Sequence, residues 1–407
     1  MTTRTLVVAG HGMAGHRLVE EMLAHDRHGQ WRLVVLAEEP RAAYDRVALS
    51  RLLDGATPGD LALAGPDVLG DRRLELYLGT TVTGVDRRAR TVTCGEGTGF
   101  GYDALVLATG SRPFVPPVPG RDLPGCFVYR TVEDVAAIRA AAVPGRDAVV
   151  VGGGLLGLEA ANGLRLLGMR PHVVEIAPWL MAQQADEGGG RVLAEAIERL
   201  GVGVHCSTAL HAVGAGADGR AQRAELADGT VLDAPLVVFA AGVRPRDELA
   251  APLGLDRGER GGFLVDQWCR TADEHIRAIG ECAAVAGRCH GLAAPGFRMA
   301  ETVARQLLRV PADAFAGADT SARLKLLGIE VAGFGDAHAR SQGAIEYVRD
   351  DRRAGTYAKV VLAADGRTVL GGVLAGDTRA YPVLRALTGR QLTASLEELP
   401  AAAPGGT

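Results

Sequence analysis

At 407 residues the chain exceeds what one compact core usually holds, so two or three domains are expected. Its 47% hydrophobic and 23% charged residues are ordinary globular composition, and the net charge of −4 argues against a nucleic-acid scaffold, which needs a basic face. No apolar run approaches the roughly 20 residues of a membrane span.

Met1 to Thr5 leads straight into an apolar strand, without the charged, apolar and cleavage regions of a signal peptide, so the cytoplasm is the expected compartment. The strand Leu6-Val7-Val8-Ala9 breaks into Gly10-His11-Gly12-Met13-Ala14-Gly15, and a helical pattern follows with Leu18, Val19, Met22 and Leu23 at helix spacing. A second strand, Leu33-Val34-Val35-Leu36, ends near Glu38-Glu39. This is β-α-β with glycines at the turn and an acid after the second strand. Leu74 to Val92 reads as short strands, and Ala104 to Leu107 as a buried strand running into Ala108-Thr109-Gly110. The proline-rich stretch Pro113 to Pro124 reads as a linker between domains.

The same grammar returns about 140 residues later. Ala148-Val149-Val150-Val151 is the strand, Gly152-Gly153-Gly154-Leu155-Leu156-Gly157 the turn, Leu158 to Leu167 the helix, and His172-Val173-Val174 the next strand, ending on Glu175. A buried strand, Leu236 to Ala240, leads into Ala241-Gly242-Val243-Arg244-Pro245, and Ile276 to Ile279 leads into Gly280-Glu281. From about Asp313 the pattern changes: Tyr357 to Leu362 and Thr368 to Leu374 bracket the turn Asp365-Gly366, and a helix is expected from Tyr381 to Thr388. This reads as a small α+β appendage, and the Ala/Pro/Gly tail from Pro400 to Thr407 as disordered.

In each G-x-G-x-x-G the first glycine permits the tight turn, the second lets backbone approach a pyrophosphate and the third lets helix pack on strand. The helix N-terminus then offers N–H groups and a positive dipole end to the phosphates. One match is weak; two, each between strand and helix and each meeting an acid after the next strand, point to two dinucleotide sites. A carboxylate there accepts from both ribose hydroxyls and repels a 2′-phosphate. Ile176-Ala177-Pro178-Trp179 brings no arginine after Glu175, so the second site is expected to prefer NADH. With two dinucleotide sites and no substrate-shaped catalytic constellation, the economical chemistry is hydride transfer between two cofactors.

Six cysteines (Cys94, Cys126, Cys206, Cys269, Cys282, Cys289) include no C-x-x-C pair, which removes a thioredoxin-type dithiol. Cys282, Cys289 and His290 fit no common zinc pattern, so no metal is expected.

The two glycine turns, Ala108-Thr109-Gly110, Ala241 to Pro245 and Ala278-Ile279-Gly280-Glu281 together resemble the flavoprotein reductases with two dinucleotide-binding domains, the ferredoxin and rubredoxin reductase type. Tyr44-Asp45-Arg46-Val47-Ala48-Leu49-Ser50, Leu324 to Gly328 and Gly371 to Asp377 are most similar to the flavin half of the NADH-dependent nitrite reductase large subunit. The resemblance implies an α/β fold: a FAD-binding domain of residues 1–113 and 244–312, an NADH-binding domain of 114–243, a C-terminal α+β domain of 313–399 and a disordered tail of 400–407. For FAD it implies Gly10, Gly12, Met13, Ala14 and Gly15 at the pyrophosphate, and Glu38 with Glu39 at the adenosine ribose. Arg46 would face the phosphate and Glu281, after Gly280, the ribityl chain; Val82, Ala108, Thr109, Gly110 and Arg130 would lie around the cofactors. For NADH it implies Gly152, Gly154, Leu155, Leu156 and Gly157 at the pyrophosphate, with Glu175 and Gly242. Arg51, near the flavin, and Glu159, on the first turn of its helix beside the nicotinamide, are the expected catalytic residues. A surface arginine and a dipole-favoured helix acid are the plain alternatives for those two.

A full nitrite reductase large subunit continues into iron–sulfur and sirohaem modules. These cysteines do not assemble a four-thiolate cluster at usual spacing, and no peroxidatic cysteine stands out. The reading is therefore an NADH-dependent FAD reductase that hands electrons to a separate iron–sulfur or other redox protein, itself a monomer or homodimer. Direct reduction of a small molecule (nitro compound, quinone or oxygen) and a redox-sensing flavin-binding interaction protein are the alternatives.

Overall fold

In the computed structural model, which describes residues 3–317, 321–326 and 328–392, the chain divides into two compact units. One comprises Met1–Arg112 with Val243–Ala318, the other Pro113–Gly242 with Asp319–Thr407. The tail expected from residue 400 lies outside the described residues.

In the first unit β1 (Arg4–Ala9), α1 (Met13–His25), β2 (Trp31–Leu36), β3 (Leu74–Tyr77) and β4 (Ala104–Leu107) join the strand Ile276–Ala278. The order is Ile276–Ala278, β4, β1, β2, β3, and every neighbouring pair is parallel. Parallel sheets are covered on both faces, which is why β1 and β4 read as continuous apolar runs; Leu6, Val7, Val8, Leu105, Val106 and Leu107 are fully buried. The long helix Ala293–Leu307 packs on α1, and glycine makes the approach possible: a Cβ on Gly296 would come 3.2 Å from the Ala14 Cβ.

The second unit repeats the architecture with β5 (Cys126–Val128), β6 (Asp147–Val151), α2 (Leu155–Leu166), β7 (Arg170–Glu175), α3 (Glu187–Glu198), β8 (Gly203–Cys206) and β9 (Val237–Phe239). Its order is β8, β7, β6, β9, β5, again all parallel. The same unit carries an antiparallel sheet of β10 (Ala322–Leu326), β11 (Ile329–Gly335), β12 (Ile345–Asp351), β13 (Thr356–Leu362) and β14 (Val369–Ala375), ordered β10, β11, β14, β13, β12, followed by α4 (Tyr381–Ala386). The β13–β14 hairpin and α4 fall where the turn signal Asp365-Gly366 and the apolar periodicity place them.

This sheet packs on α3 through β11, β13 and β14. The helix opens on Gly188-Gly189-Gly190, residues that each cost a helix about 1 kcal/mol relative to alanine. The packing explains them. A Cβ on Gly188 would enter the Tyr357 ring, one on Gly189 would reach 2.7 Å from Val373 Cγ1, and one on Gly190 2.7 Å from Trp179 Cβ. Asp186 caps this helix through Gly189 N–H (3.1 Å). Its other oxygen accepts from both the Lys359 ammonium and the Tyr357 hydroxyl, each at 2.7 Å. Lys359 is 3% exposed and pairs also with Glu346 at 3.2 Å. Among the described residues no helix is long and apolar enough to cross a membrane.

Candidate active site

The two glycine turns are built alike. Gly10 (φ +112°) and Gly152 (φ +118°) take backbone angles that side chains rarely adopt, and a Cβ on either would strike a carbonyl, that of Ala108 or Ala240. A Cβ on Gly15 or Gly157 would strike the carbonyl of Gly10 or Gly152, so helix and strand meet only because both are glycine. Gly12 and Gly154 differ: each is an extended N-cap residue, and a Cβ there meets nothing within 4 Å. Neither α1 nor α2 has a side-chain N-cap hydrogen bond, and neither has an acid in its first turn. Open space before uncapped N–H groups and a positive dipole end fits a pyrophosphate, twice.

Around the first turn, Met13 and Ala14 open α1, and a Cβ on Gly280 would come 3.1 Å from the Ala14 Cβ. Two acid–arginine pairs follow β2. Glu39 accepts from the Tyr44 hydroxyl (2.7 Å) and pairs with Arg46 (2.5 Å), whose guanidinium lies 5.0 Å from the Tyr44 ring centroid. Burial opposes the charge of the Arg46 guanidinium, but Tyr44 with the Glu39 and Glu281 carboxylates holds it above its usual range. Glu38 is gripped by Arg246, a residue the sequence reading passed over although it follows Pro245 directly. Ser111 Oγ donates to Glu281 (2.7 Å), while Thr109 Oγ1 and the Gly110 carbonyl both bind the Arg246 backbone. Val82 sits in the strand Val82–Asp86, partly buried against the core. Arg51 is exposed on the 3-10 turn Arg46–Leu52.

His11, inside the first turn, and His16, on α1, are both buried with ring centroids 5.4 Å apart. His11 Nδ1 accepts from Ala43 N–H (3.2 Å), while its Nε2 has no hydrogen-bond partner among the described residues. Burial, helped by His16, pushes the His11 pKa down to about 4, and burial lowers His16 against the opposing charge of Glu20. The folded state thus keeps His11 neutral, whereas the unfolded chain protonates it near 6.5. Stability is complete above that value and is lost as pH falls toward about 4, by about 3 kcal/mol for His11 alone. Urea unfolding at about pH 7 and about pH 5 is expected to show about 2 kcal/mol of this loss in the wild type and much less of it in His11→Asn, whose amide oxygen keeps the Ala43 bond.

Around the second turn, Leu155 and Leu156 are the first residues of α2 and half-buried. The Glu175 carboxylate accepts from Gly153 N–H (2.6 Å) and Ala177 N–H (2.8 Å), which fixes it beside the turn with lone pairs to spare. Gly242 (φ +99°) has open space where a side chain would stand. Glu159 needs a correction of register: the helix starts at Leu155 because Gly154 is extended, so Glu159 is its fifth residue, beyond the first turn. The charge of Glu159 adds to burial in driving the Tyr129 hydroxyl far above its usual range. Tyr129 was not anticipated; it is 1% exposed at the end of β5, and its hydroxyl has no hydrogen-bond partner among the described residues. Next to it, Arg130 N–H donates to Asp134 (3.0 Å), part of the cap of the helix Val132–Ala141.

All six cysteines are free, and burial raises the pKa of each: Cys126, Cys206 and Cys289 to about 11, Cys269 to about 12, with Cys94 and Cys282 moved in the same direction. Among the described residues no three His, Cys, Asp or Glu side chains form a group that could hold a metal ion.

Residues 4–306 match the family described as pyridine nucleotide-disulphide oxidoreductase, and residues 321–391 match the rubredoxin NAD+ reductase C-terminal domain. The chain belongs to the pyridine nucleotide-disulphide oxidoreductase family. As a member it is an NAD(P)H-dependent flavoprotein oxidoreductase that uses FAD. It is 48% identical over 384 residues to the nitrite reductase [NAD(P)H] large subunit of Klebsiella oxytoca, covering 94% of this chain and 40% of that one. It is 43% identical over 382 residues to the nitrite reductase (NADH) large subunit of Escherichia coli K12, covering 94% and 45%. The chain thus spans less than half the length of these relatives. Among solved structures, the ferredoxin reductase for the CYP199A2 system of Rhodopseudomonas palustris superposes with a TM-score of 0.84 at 25% identity, covering 96% of both chains. The resemblance read from the motifs is to this same family, and the family carries the two-Rossmann fold with a C-terminal sheet domain described above.

Proposed function

We propose that this oxidoreductase takes hydride from NADH, held at the Gly154 turn, onto FAD, held at the Gly12 turn, and hands the electrons to a separate redox protein. The observation that carries this reading is the duplicated turn, with space for two pyrophosphates at two uncapped helix N-termini. FAD supplies the chemistry that the side chains lack, accepting the two electrons of a hydride and releasing them singly.

The chain's own residues do the placing. The first N–H groups of α1 and α2 would hold the two pyrophosphates, and at the first Arg46, paired with Glu39, would offset that acid's charge beside the phosphates. Glu175 takes the ribose hydroxyls of the nicotinamide nucleotide, and Glu159 stands beside Tyr129 on the nicotinamide side of α2. The six thiols, three buried and three half-buried, resist ionisation, which leaves no cysteine among the described residues suited to act as a redox relay and supports an acceptor outside them. The rhodocoxin reductase of Rhodococcus erythropolis, 36% identical over 282 residues, is a relative whose name points to a protein acceptor.

The test is NADH-driven dye reduction with and without an added small iron–sulfur protein. A large gain in rate with the carrier supports the proposal. High rates with quinone, nitro compound or oxygen, and no gain from any carrier, contradict it. Nucleotide choice is tested separately. Glu175→Ala is expected to raise KM for NADH roughly tenfold and to lower KM for NADPH, since a hydrogen-bonding carboxylate that also repels a 2′-phosphate has gone. Unchanged KM for both nucleotides would remove Glu175 from the site.

A further inference from the structure

Glu38 stands two residues beyond β2, where a dinucleotide fold carries its ribose acid, and that task requires the carboxylate to be held in place, as two backbone N–H groups hold Glu175. Its side chain has three rotatable bonds, its neighbour Glu39 is also an acid, and a diphosphate is to bind nearby. Left to itself such a side chain would be repelled outward and would lose much rotamer freedom on binding.

The structure shows what restrains it. Arg246 meets Glu38 fork to fork, Nη2 to Oε1 at 3.0 Å and Nη1 to Oε2. Arg246 is itself tied down by main chain: its N–H donates to the Gly110 carbonyl (2.9 Å), and its carbonyl accepts from Thr109 Oγ1 (2.6 Å). A residue far along the chain is thereby fixed to the turn after β4, with its guanidinium reaching to the end of β2. The bidentate pair occupies two of the carboxylate's roughly four lone-pair positions and leaves the others for two hydroxyls. It also cancels the charge of Glu38 as Arg46 cancels that of Glu39, so the acid pair does not repel a diphosphate.

We infer that Arg246 is a positioning residue for the adenosine half of FAD, acting through Glu38. The inference rests on the reading of Glu38 as the ribose acid. It adds a specificity element that neither glycine turn supplies, since a pyrophosphate site alone does not distinguish adenosine from any other diphosphate ester.

The experiment follows FAD release from the holoprotein on dilution, as the gain in flavin fluorescence, for wild type, Arg246→Met, Arg246→Lys, Glu38→Gln and the Arg246→Met/Glu38→Gln double variant over a range of pH. The expected result is that Arg246→Met and Glu38→Gln each weaken FAD retention about tenfold, that the double variant is little worse than either, and that Arg246→Lys recovers part of the loss. The pH profile separates positioning from mere packing. Arg246 holds the Glu38 carboxyl below its usual range, and Arg246 in turn faces Glu39 and Glu248 as well as Glu38. With Arg246→Met, Glu38 protonates at higher pH, so acid-induced FAD release moves up the pH scale; Arg246→Lys keeps it near the wild-type position. If Glu38→Gln weakens FAD while Arg246→Met leaves both affinity and profile unchanged, the inference is overturned and the reading of Glu38 stands. If Glu38→Gln has no effect, the reading of Glu38 fails and takes the inference with it.

Discussion

Gly154→Val is expected to leave the chain folded and yellow with FAD while raising the Kd for NADH on the order of 100-fold. Gly154 has φ −82° and ψ −178°, extended backbone that any residue adopts, and a Cβ there would have nothing within 4 Å beyond its own chain neighbours. The substitution therefore costs the fold little. What it fills is the space before the first N–H groups of α2, and charge-assisted bonds from such groups to phosphate are each worth about 1.5–3 kcal/mol. Losing one or two accounts for the expected factor. Gly157→Val is the control with the opposite signature: its side chain would be driven into the Gly152 carbonyl, so overpacking of about 1–3 kcal/mol or more lowers the melting temperature as well as the affinity. Calorimetric NADH titration, flavin content and thermal melts on both variants separate the cases. A Gly154→Val protein that binds NADH like the wild type would remove the second turn from the nucleotide site.

Lys359→Met is the other large effect, with an expected loss of about 3–5 kcal/mol in stability. The Lys359 ammonium is buried between Asp186 and Glu346, and Tyr357, which burial and Asp186 hold above the usual phenol range, donates to the same Asp186 oxygen. Methionine fills the volume but leaves the largely buried Asp186 carboxylate without its cation, the costly way to break a buried pair, while the exposed Glu346 turns to water. Adding Asp186→Asn to Lys359→Met is expected to recover part of the loss, because asparagine still caps α3 through Gly189 N–H and carries no charge. Urea unfolding of the two variants and the wild type measures this. A loss below about 1 kcal/mol for Lys359→Met would show that water already screens the cluster.

The parts of this protein that could be read from its residues are those whose causes are local. Each β-α-β shows as an apolar run, a glycine turn and a helical period, because burial on both faces and close backbone approach act within some thirty residues. The β13–β14 hairpin was legible for the same reason, since Asp365-Gly366 dictates its own turn. What escaped is what distance hides. Arg246 and Glu38 are 208 residues apart, Tyr357 and Asp186 171 apart, and no local period joins them. Gly188-Gly189-Gly190 alone argues against a helix, and only the Tyr357 ring, Val373 and Trp179 explain why those positions carry no side chain. Glu159 was placed a turn early because a helix boundary depends on one residue's backbone angle, here the extended Gly154. Nothing in the run Gly10-His11-Gly12 signals that His11 is buried beside His16 and bonded to Ala43, 32 residues away.

Hydride transfer from NADH onto FAD within one chain is checked by anaerobic titration of the purified protein with NADH. The expected result is a yellow protein whose flavin absorbance bleaches on addition of about one equivalent of NADH, and whose Gly154→Val form is yellow but needs a large excess for the same bleaching. A protein that binds no FAD, or a flavin that NADH leaves oxidised, would contradict it.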